Sequence, residues 1–208
     1  DWSVYPHGYR LHLFKIHRMK RELLIGCGSD KRKKITADGT HGFDYVITLD
    51  HCALHDPDVL WDLMKMPLPF DDNTFDEIHA YEVLEHTGAQ GDYKFFFKQF
   101  SEFWRILKPG GKLLATCPSR HSPWAFGDPS HTRIMQKEQL IFLNQEAYES
   151  GVGKTAMSDF RDIYKADFVP IMIDENKDKF AFIIQAVKPA RSYEKTTDSG
   201  ESNATCVA

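Results

Sequence analysis

The sequence predicts an α/β domain. Three observations carry this. Short apolar, strand-like stretches alternate with helix-like ones; the first runs straight into Gly26-Cys27-Gly28; and an acidic residue, Asp50, closes the second. A chain of 208 residues can bury one full core and is too short for two large domains. Its 15 Phe and 8 Tyr supply apolar area that a disordered chain lacks.

Residues 1–20 mix Arg10, Lys15, Arg18 and Lys20 with Leu11, Leu13, Phe14 and Ile16, and are read as an N-terminal extension, helix or edge strand. The main domain is expected over 21–190. Leu23-Leu24-Ile25 is its first buried strand, Tyr45–Leu49 the second, Val59-Leu60-Trp61 a short third and Phe75–Tyr81 the fourth. A helix follows from about Asp92 to Leu107, because Tyr93, Phe96, Phe97, Phe100, Trp104 and Leu107 recur at three- and four-residue spacing. That stripe reads as core packing, and Lys108-Pro109-Gly110-Gly111 stops the helix. Leu113–Cys117 is the fifth strand, closed by Pro118. Residues 119–165 form an insertion punctuated by Pro123, Gly127, Pro129, Gly151 and Gly153, with one helix over about Gln136 to Tyr148. Phe168–Ile173 and Phe180–Val187, joined by the polar turn 174–178, are predicted to pair as an antiparallel hairpin. The tail 191–208, rich in Ser, Thr, Glu and Lys, is expected to be disordered.

Composition narrows the function classes. A net charge of −4 excludes a whole-domain basic field for duplex nucleic acid. No run approaches the roughly 18 apolar residues of a membrane helix, and no signal-like apolar stretch follows Asp1, so a cytoplasmic location is expected. Cys27, Cys52, Cys117 and Cys206 form no CxxC pair and read as free thiols of a reducing compartment. His51, Cys52, His55 and Asp56 sit together in a loop without a ribbon or helical scaffold, so no metal site is expected.

Three segments carry chemistry. Gly26 and Gly28 let backbone approach a ligand where a Cβ would clash. Asp50 follows Gly28 by 22 residues, near the interval of about 20 at which an acidic residue holds ribose hydroxyls. Lys31 stands where a dinucleotide fingerprint has its third glycine, which disfavours a pyrophosphate cradle, as does the absence of a Tyr-x-x-x-Lys pair. Asp62-Leu63, twelve residues past Asp50, can accept from an adenine amino group and cover its ring, and otherwise belongs to a polar loop anchored by Leu68 and Phe70. The fourth strand delivers Tyr81 and Glu82 to its carboxyl end, and Glu85 and His86 open the next segment.

In this order, Leu-Ile-Gly-Cys-Gly, Asp50, Asp62-Leu63 with Leu68-Pro69-Phe70, Phe75-Asp76 with Val83-Leu84-Glu85-His86, and Leu107-Lys108-Pro109-Gly110-Gly111 resemble the class I S-adenosylmethionine-dependent methyltransferases, and most closely their type-11 methyltransferase-domain group, over residues 22–118. The resemblance implies a Rossmann-like, doubly wound, seven-stranded and mostly parallel sheet with an antiparallel last strand. It implies S-adenosyl-L-methionine as cofactor, with Gly26, Cys27 and Gly28 on its methionine side. Asp50 would hold the ribose, Asp62 and Leu63 the adenine, and Tyr81 and Glu82 the sugar or methionine side. The Lys108–Gly111 turn would be structural.

Two departures stand out. Leu24 occupies the place, two before the first glycine, where the family has an acidic or amide residue. Lys31-Arg32-Lys33-Lys34 replaces the usual amphipathic first helix with a basic stretch, read as a solvated loop or an anion site.

A base is needed only when the acceptor arrives protonated. Among His86, His121, Asp128 and His131, we rank His131 and His86 first. Residues 119–150 are expected to form the acceptor side, with Arg120, His121, Asp128, His131 and Arg133 as polar contacts and Trp124 and Phe126 excluding water. The expected acceptor is a small molecule or a glycan precursor. The alternative is a non-catalytic methyltransferase-like binding or regulatory subunit, which Leu24 favours and the intact Asp50, Asp62 and Glu82 oppose.

Overall fold

The computed structural model describes residues 19–191. Its core is a seven-stranded sheet: β1 (Arg21–Ile25), β2 (Tyr45–Asp50), β3 (Val59–Leu60), β4 (Phe75–Tyr81), β5 (Leu107–Pro118), β6 (Phe168–Glu175) and β7 (Lys179–Ala186). The spatial order is β3-β2-β1-β4-β5-β7-β6. β1 to β5 pair in parallel, and β7 runs antiparallel to both β5 and β6. The expected hairpin and the seven-stranded, mostly parallel sheet are therefore present. The chain order reverses between β1 and β4, the switch point at which open α/β sheets hold their ligands. Of the predicted N-terminal extension and tail, only residues 19, 20 and 191 are described. No helix among the described residues is long and apolar enough to cross a membrane.

The long helix α1 (Tyr93–Ile106) begins where Asp92 caps it, the carboxylate accepting from Phe95 N at 3.0 Å. Its buried stripe, Phe97, Phe100, Phe103 and Ile106, packs in one core with Leu23, Ile25, Ile78, Leu113 and Phe182. The aromatic period thus marks core packing, as expected. The helix stops at Ile106, because Leu107 already has extended geometry and opens β5.

The helix expected over 136–148 is broken. α3 (Lys137–Leu140) passes into a 3-10 turn (Ile141–Leu143), Asn144 then adopts extended geometry, and α4 (Gln145–Gly151) starts afresh. The Asn144 side chain accepts from Glu146 N at 3.0 Å, so a cap interrupts the apolar period. A four-residue helix, α2 (Trp124–Gly127), precedes them.

On the opposite face of the sheet, residues 26–44 form no helix. Leu24, Cys27 and Tyr81 pack there with Ile35, Phe43 and Val46. Beside them the buried Glu22, Glu77 and His79 are held by Lys33, whose Nζ lies 2.5 Å from Glu22 and 3.4 Å from Glu77. Lys20 adds a 2.7 Å contact to Glu77. The basic run is a loop solvated at Arg32 and Lys34 and anchored at Lys33, and its charges have partners within the chain. Lys33 is buried, Arg32 and Lys34 pair with Asp30, and Lys31 donates to the Asp56 carbonyl.

Candidate active site

A cleft of about 540 Å³ opens at the carboxyl ends of β1, β2 and β4. This lies within the roughly 300–1,000 Å³ of small-molecule sites. Gly26 forms part of its floor at φ +56°, and a Cβ there would stand 2.3 Å from Val83 Cγ2, so only glycine fits. Asp50 ends β2 and is 4% exposed. Its Oδ2 accepts from Gly28 N and its Oδ1 from Cys52 N, each at 2.9 Å. Those two bonds fix the carboxylate and leave lone pairs on both oxygens for a ligand. Asp62 is oriented the same way, its Oδ1 accepting from Met64 N at 2.8 Å, with Leu63 beside it. Glu82 follows β4 in left-handed geometry, φ +54°, while its N–H donates to the Thr116 carbonyl at 2.8 Å.

Among the described residues, three carboxylates and three histidines, His51, His55 and His86, line this cleft, and no Lys or Arg does. Such a lining suits a ligand that donates from hydroxyl and amino groups and carries positive charge. It repels a pyrophosphate.

Gly26, Asp50, Asp62, Leu63 and Glu82 thus meet at one cleft, and Gly28 serves it by orienting Asp50. Cys27 and Tyr81 are placed elsewhere. Side chains alternate along β4, so Tyr81 joins Glu77 and His79 on the opposite face, its hydroxyl 2.7 Å from His79 Nδ1 and donating to Ile35 O at 3.3 Å. Cys27 packs with it, its N–H donating to Leu49 O at 3.2 Å, and burial raises the thiol pKa. Leu24, two residues before Gly26, belongs to that same apolar group.

A second cavity, of about 510 Å³, shares Glu82 and His86 with the cleft. Glu85, Trp124, Asp128 and His131 also line it. His86 and His131, 45 positions apart in sequence, meet edge to face with ring centroids 4.6 Å apart. The insertion is tied to this spot by main-chain bonds from Thr132 N and Arg133 N to Glu85 O, at 2.9 and 3.3 Å. His86 Nδ1 lies 3.1 Å from Ser130 Oγ.

Glu85 is 2% exposed, and burial pushes its carboxyl up to about 7. Its own main-chain N–H and the Cys117 thiol, itself raised by burial, are the groups that reach the carboxyl among the described residues.

Arg133, expected as an acceptor contact, is a structural residue instead. It is buried and donates to Leu84 O, Thr87 Oγ1 and Gln99 Oε1 at 2.8, 3.0 and 2.5 Å. Burial lowers its pKa to about 10, which still leaves it charged at neutral pH. Arg120 and His121 are exposed and bond one another at 3.2 Å, away from the lining of either cavity. Glu85 was not singled out as functional by the sequence reading. Its signal was an acidic residue directly after the apolar Val83-Leu84 and directly before His86.

Residues 23–115 match the family model of the methyltransferase domain. A protein of Mycolicibacterium smegmatis named a probable S-adenosylmethionine-dependent methyltransferase is 31% identical over 136 residues, which are 60% of this chain and 50% of that protein. The chain thus spans about half the length of the curated relative it matches. The crystal structure of a SAM-dependent methyltransferase from Archaeoglobus fulgidus superposes with a TM-score of 0.50 at 16% identity, covering 80% of this chain and 86% of that one. At that identity the likeness shows a shared fold.

Proposed function

We propose that this chain, whose residues 23–115 match the methyltransferase domain, is a class I S-adenosylmethionine-dependent methyltransferase that transfers a methyl group from S-adenosyl-L-methionine to a small molecule or glycan precursor. The observation that carries the reading is the cleft at the switch point. It is lined by three carboxylates with no lysine or arginine among the described residues, and it opens across Glu82 and His86 into a second cavity. The fit to the cofactor is chemical. Asp50 keeps free lone pairs for two ribose hydroxyls, Asp62 and Leu63 meet the adenine, Gly26 permits close approach, and Glu82 faces the positively charged methionine end.

When bound, the cofactor supplies a methyl group activated by a sulfonium centre. The chain positions it, and the acceptor, where the two cavities meet. His131 and His86 stand at that junction and are the residues we assign to the acceptor's proton. Trp124 and Asp128 complete the acceptor side. We place the reaction in the cytoplasm, a reading that the free thiols of Cys27, Cys52 and Cys117 support.

Calorimetric titration with S-adenosylhomocysteine tests the cofactor assignment. Asp50→Ala removes hydrogen bonds to a charged group of roughly 1.5–3 kcal/mol, so affinity should fall about ten- to a hundredfold with the fold intact. Absence of binding by the parent protein at millimolar ligand leaves a regulatory or binding subunit as the better reading. An unchanged Kd in the variant assigns the ribose to another residue.

A further inference from the structure

We propose that Glu85, His86 and His131 form a binding site for a divalent transition-metal ion of the Zn²⁺ or Co²⁺ class, on the acceptor side of the cleft. One ligand atom from each of the three lies within 4.8 Å of the other two. Ligand atoms in a tetrahedral site with bonds of roughly 2.0–2.2 Å stand about 3.3–3.6 Å apart, so the three atoms close by up to about an ångström, through side-chain rotation, to complete the set. Two imidazoles and one carboxylate suit an ion of this class better than Mg²⁺ or Ca²⁺, which take oxygen ligands. The coordination face left open looks into the 510 Å³ cavity.

Two independent features point to a ligand. The first is the polar atoms left over. Both Glu85 oxygens are buried with no donor beyond the residue's own N–H and the Cys117 thiol, and His131 Nδ1 is buried without a partner. The charged Arg133 nearby acts on Glu85 through space but makes no hydrogen bond to it: its Nε and Nη2 go to Leu84 O, Thr87 and Gln99, and its Nη1 has no partner. A buried carboxylate in that state is costly, and it either takes up a proton or is paired with a cation or metal ion.

The second feature is the support of the rings. Metal-bound imidazoles are oriented through their other nitrogen by an oxygen. His86 Nδ1 faces Ser130 Oγ at 3.1 Å and Ser130 O at 3.3 Å, which leaves Nε2 free. His131 Nε2 faces Asp128 Oδ2 at 3.8 Å, which leaves Nδ1 free. The other comparable cluster among the described residues, Glu22, Glu77 and His79, is already neutralised by Lys20 and Lys33.

An acceptor oxygen that meets such an ion holds its proton less tightly. His131 and His86 would then assist the acceptor through the ion rather than as free bases. Metal binding is read without turnover, so it stands or falls apart from methyl transfer.

The experiment is titration of the chelator-treated full chain with Co²⁺, followed by its visible absorption, and with Zn²⁺ by calorimetry. One equivalent should bind with ligand-field bands. Glu85→Gln and His131→Ala should each weaken binding by at least about tenfold, with S-adenosylhomocysteine affinity, measured on the same samples, unchanged. Glu85→Gln removes a buried charge and should melt no lower than the parent, so it decides the case even if His131→Ala fails to fold. No saturable bands up to millimolar Co²⁺ overturns the proposal. So does binding that both variants leave unaltered, which would put the ion on surface histidines such as His51. Loss of S-adenosylhomocysteine binding in the parent would instead count against the cofactor cleft alone.

Discussion

On the face of the sheet that α1 covers, Leu23, Ile25, Ile78, Leu113 and Phe182 meet Phe97, Phe100 and Phe103 in one continuous apolar core. On the other face the alternate positions of β1 and β4 carry Glu22, Glu77 and His79, and the cover is loop 26–44, pinned by Lys33 and Lys20. The first face is stabilised in proportion to the apolar area removed from water. The second depends on each charge keeping its partner, because truncating one member strands the others in a dry site. Two sides of the same strands therefore respond to mutation by different rules.

The largest effect is expected on the apolar side. Phe100 is fully buried and touches Phe96 and Phe103 through its ring. Phe100→Ala should cost about 3–5 kcal/mol and lower Tm by roughly 6–20 °C, read by calorimetric melting. A loss below 1 kcal/mol would show that α1 does not anchor that face.

Next comes the polar side. Lys33→Met leaves Glu22 and Glu77 without their shared cation and should cost about 3 kcal/mol in denaturant unfolding. The double variant Lys33→Met with Glu22→Leu should recover part of that loss. If the two single changes simply add, the groups are not coupled and the contrast between the faces fails.

Acid separates the faces further. Burial alone would raise the Glu77 carboxyl pKa, but His79, Lys20 and Lys33 outweigh it and hold the group below its ordinary value of 4.5. A carboxyl lowered by folding adds stability that is complete above the unfolded value and is lost as pH falls beneath it. Unfolding free energy should therefore drop below about pH 4.5 in the parent and in Phe100→Ala, and drop less steeply in Glu77→Gln. Parallel curves for all three would remove the network as the cause.

The smallest effect is expected for Tyr81→Phe. Its hydroxyl bonds His79 and the main chain of Ile35 and Lys34, away from the cleft, so the change should cost no more than about 1.5 kcal/mol and leave S-adenosylhomocysteine affinity untouched. Weaker cofactor binding would return Tyr81 to the cleft.

The same division explains what the sequence made legible. Strands β1, β2, β4, β5 and β7 and helix α1 were readable because apolar period is a local signal that burial enforces. Asp50, Asp62 and Glu82 were readable because each stands where a strand or its loop ends at the cleft. The roles of Tyr81 and Cys27 were not, since the face that a side chain takes depends on alternation counted from a strand's interior. The Lys31–Lys34 run looked solvated because Glu22 and Glu77, the acids that bury Lys33, lie on strands distant in sequence. The pairing of His86 with His131 was invisible for the same reason, although both had been picked out singly. Asn144, a capping side chain inside an apolar pattern, hid the break between α3 and α4.

Glu82 has the left-handed backbone that costs a residue with a Cβ about 1–2 kcal/mol and that glycine adopts freely. A selection for folding alone would replace it with glycine or asparagine. Glycine would relax the chain and delete the one carboxylate that borders both cavities. Thermostabilised descendants of this protein should therefore divide at position 82. Those that keep the acid retain the strained turn and the wall between the two chambers, and those that exchange it for glycine gain melting temperature as they lose ligand.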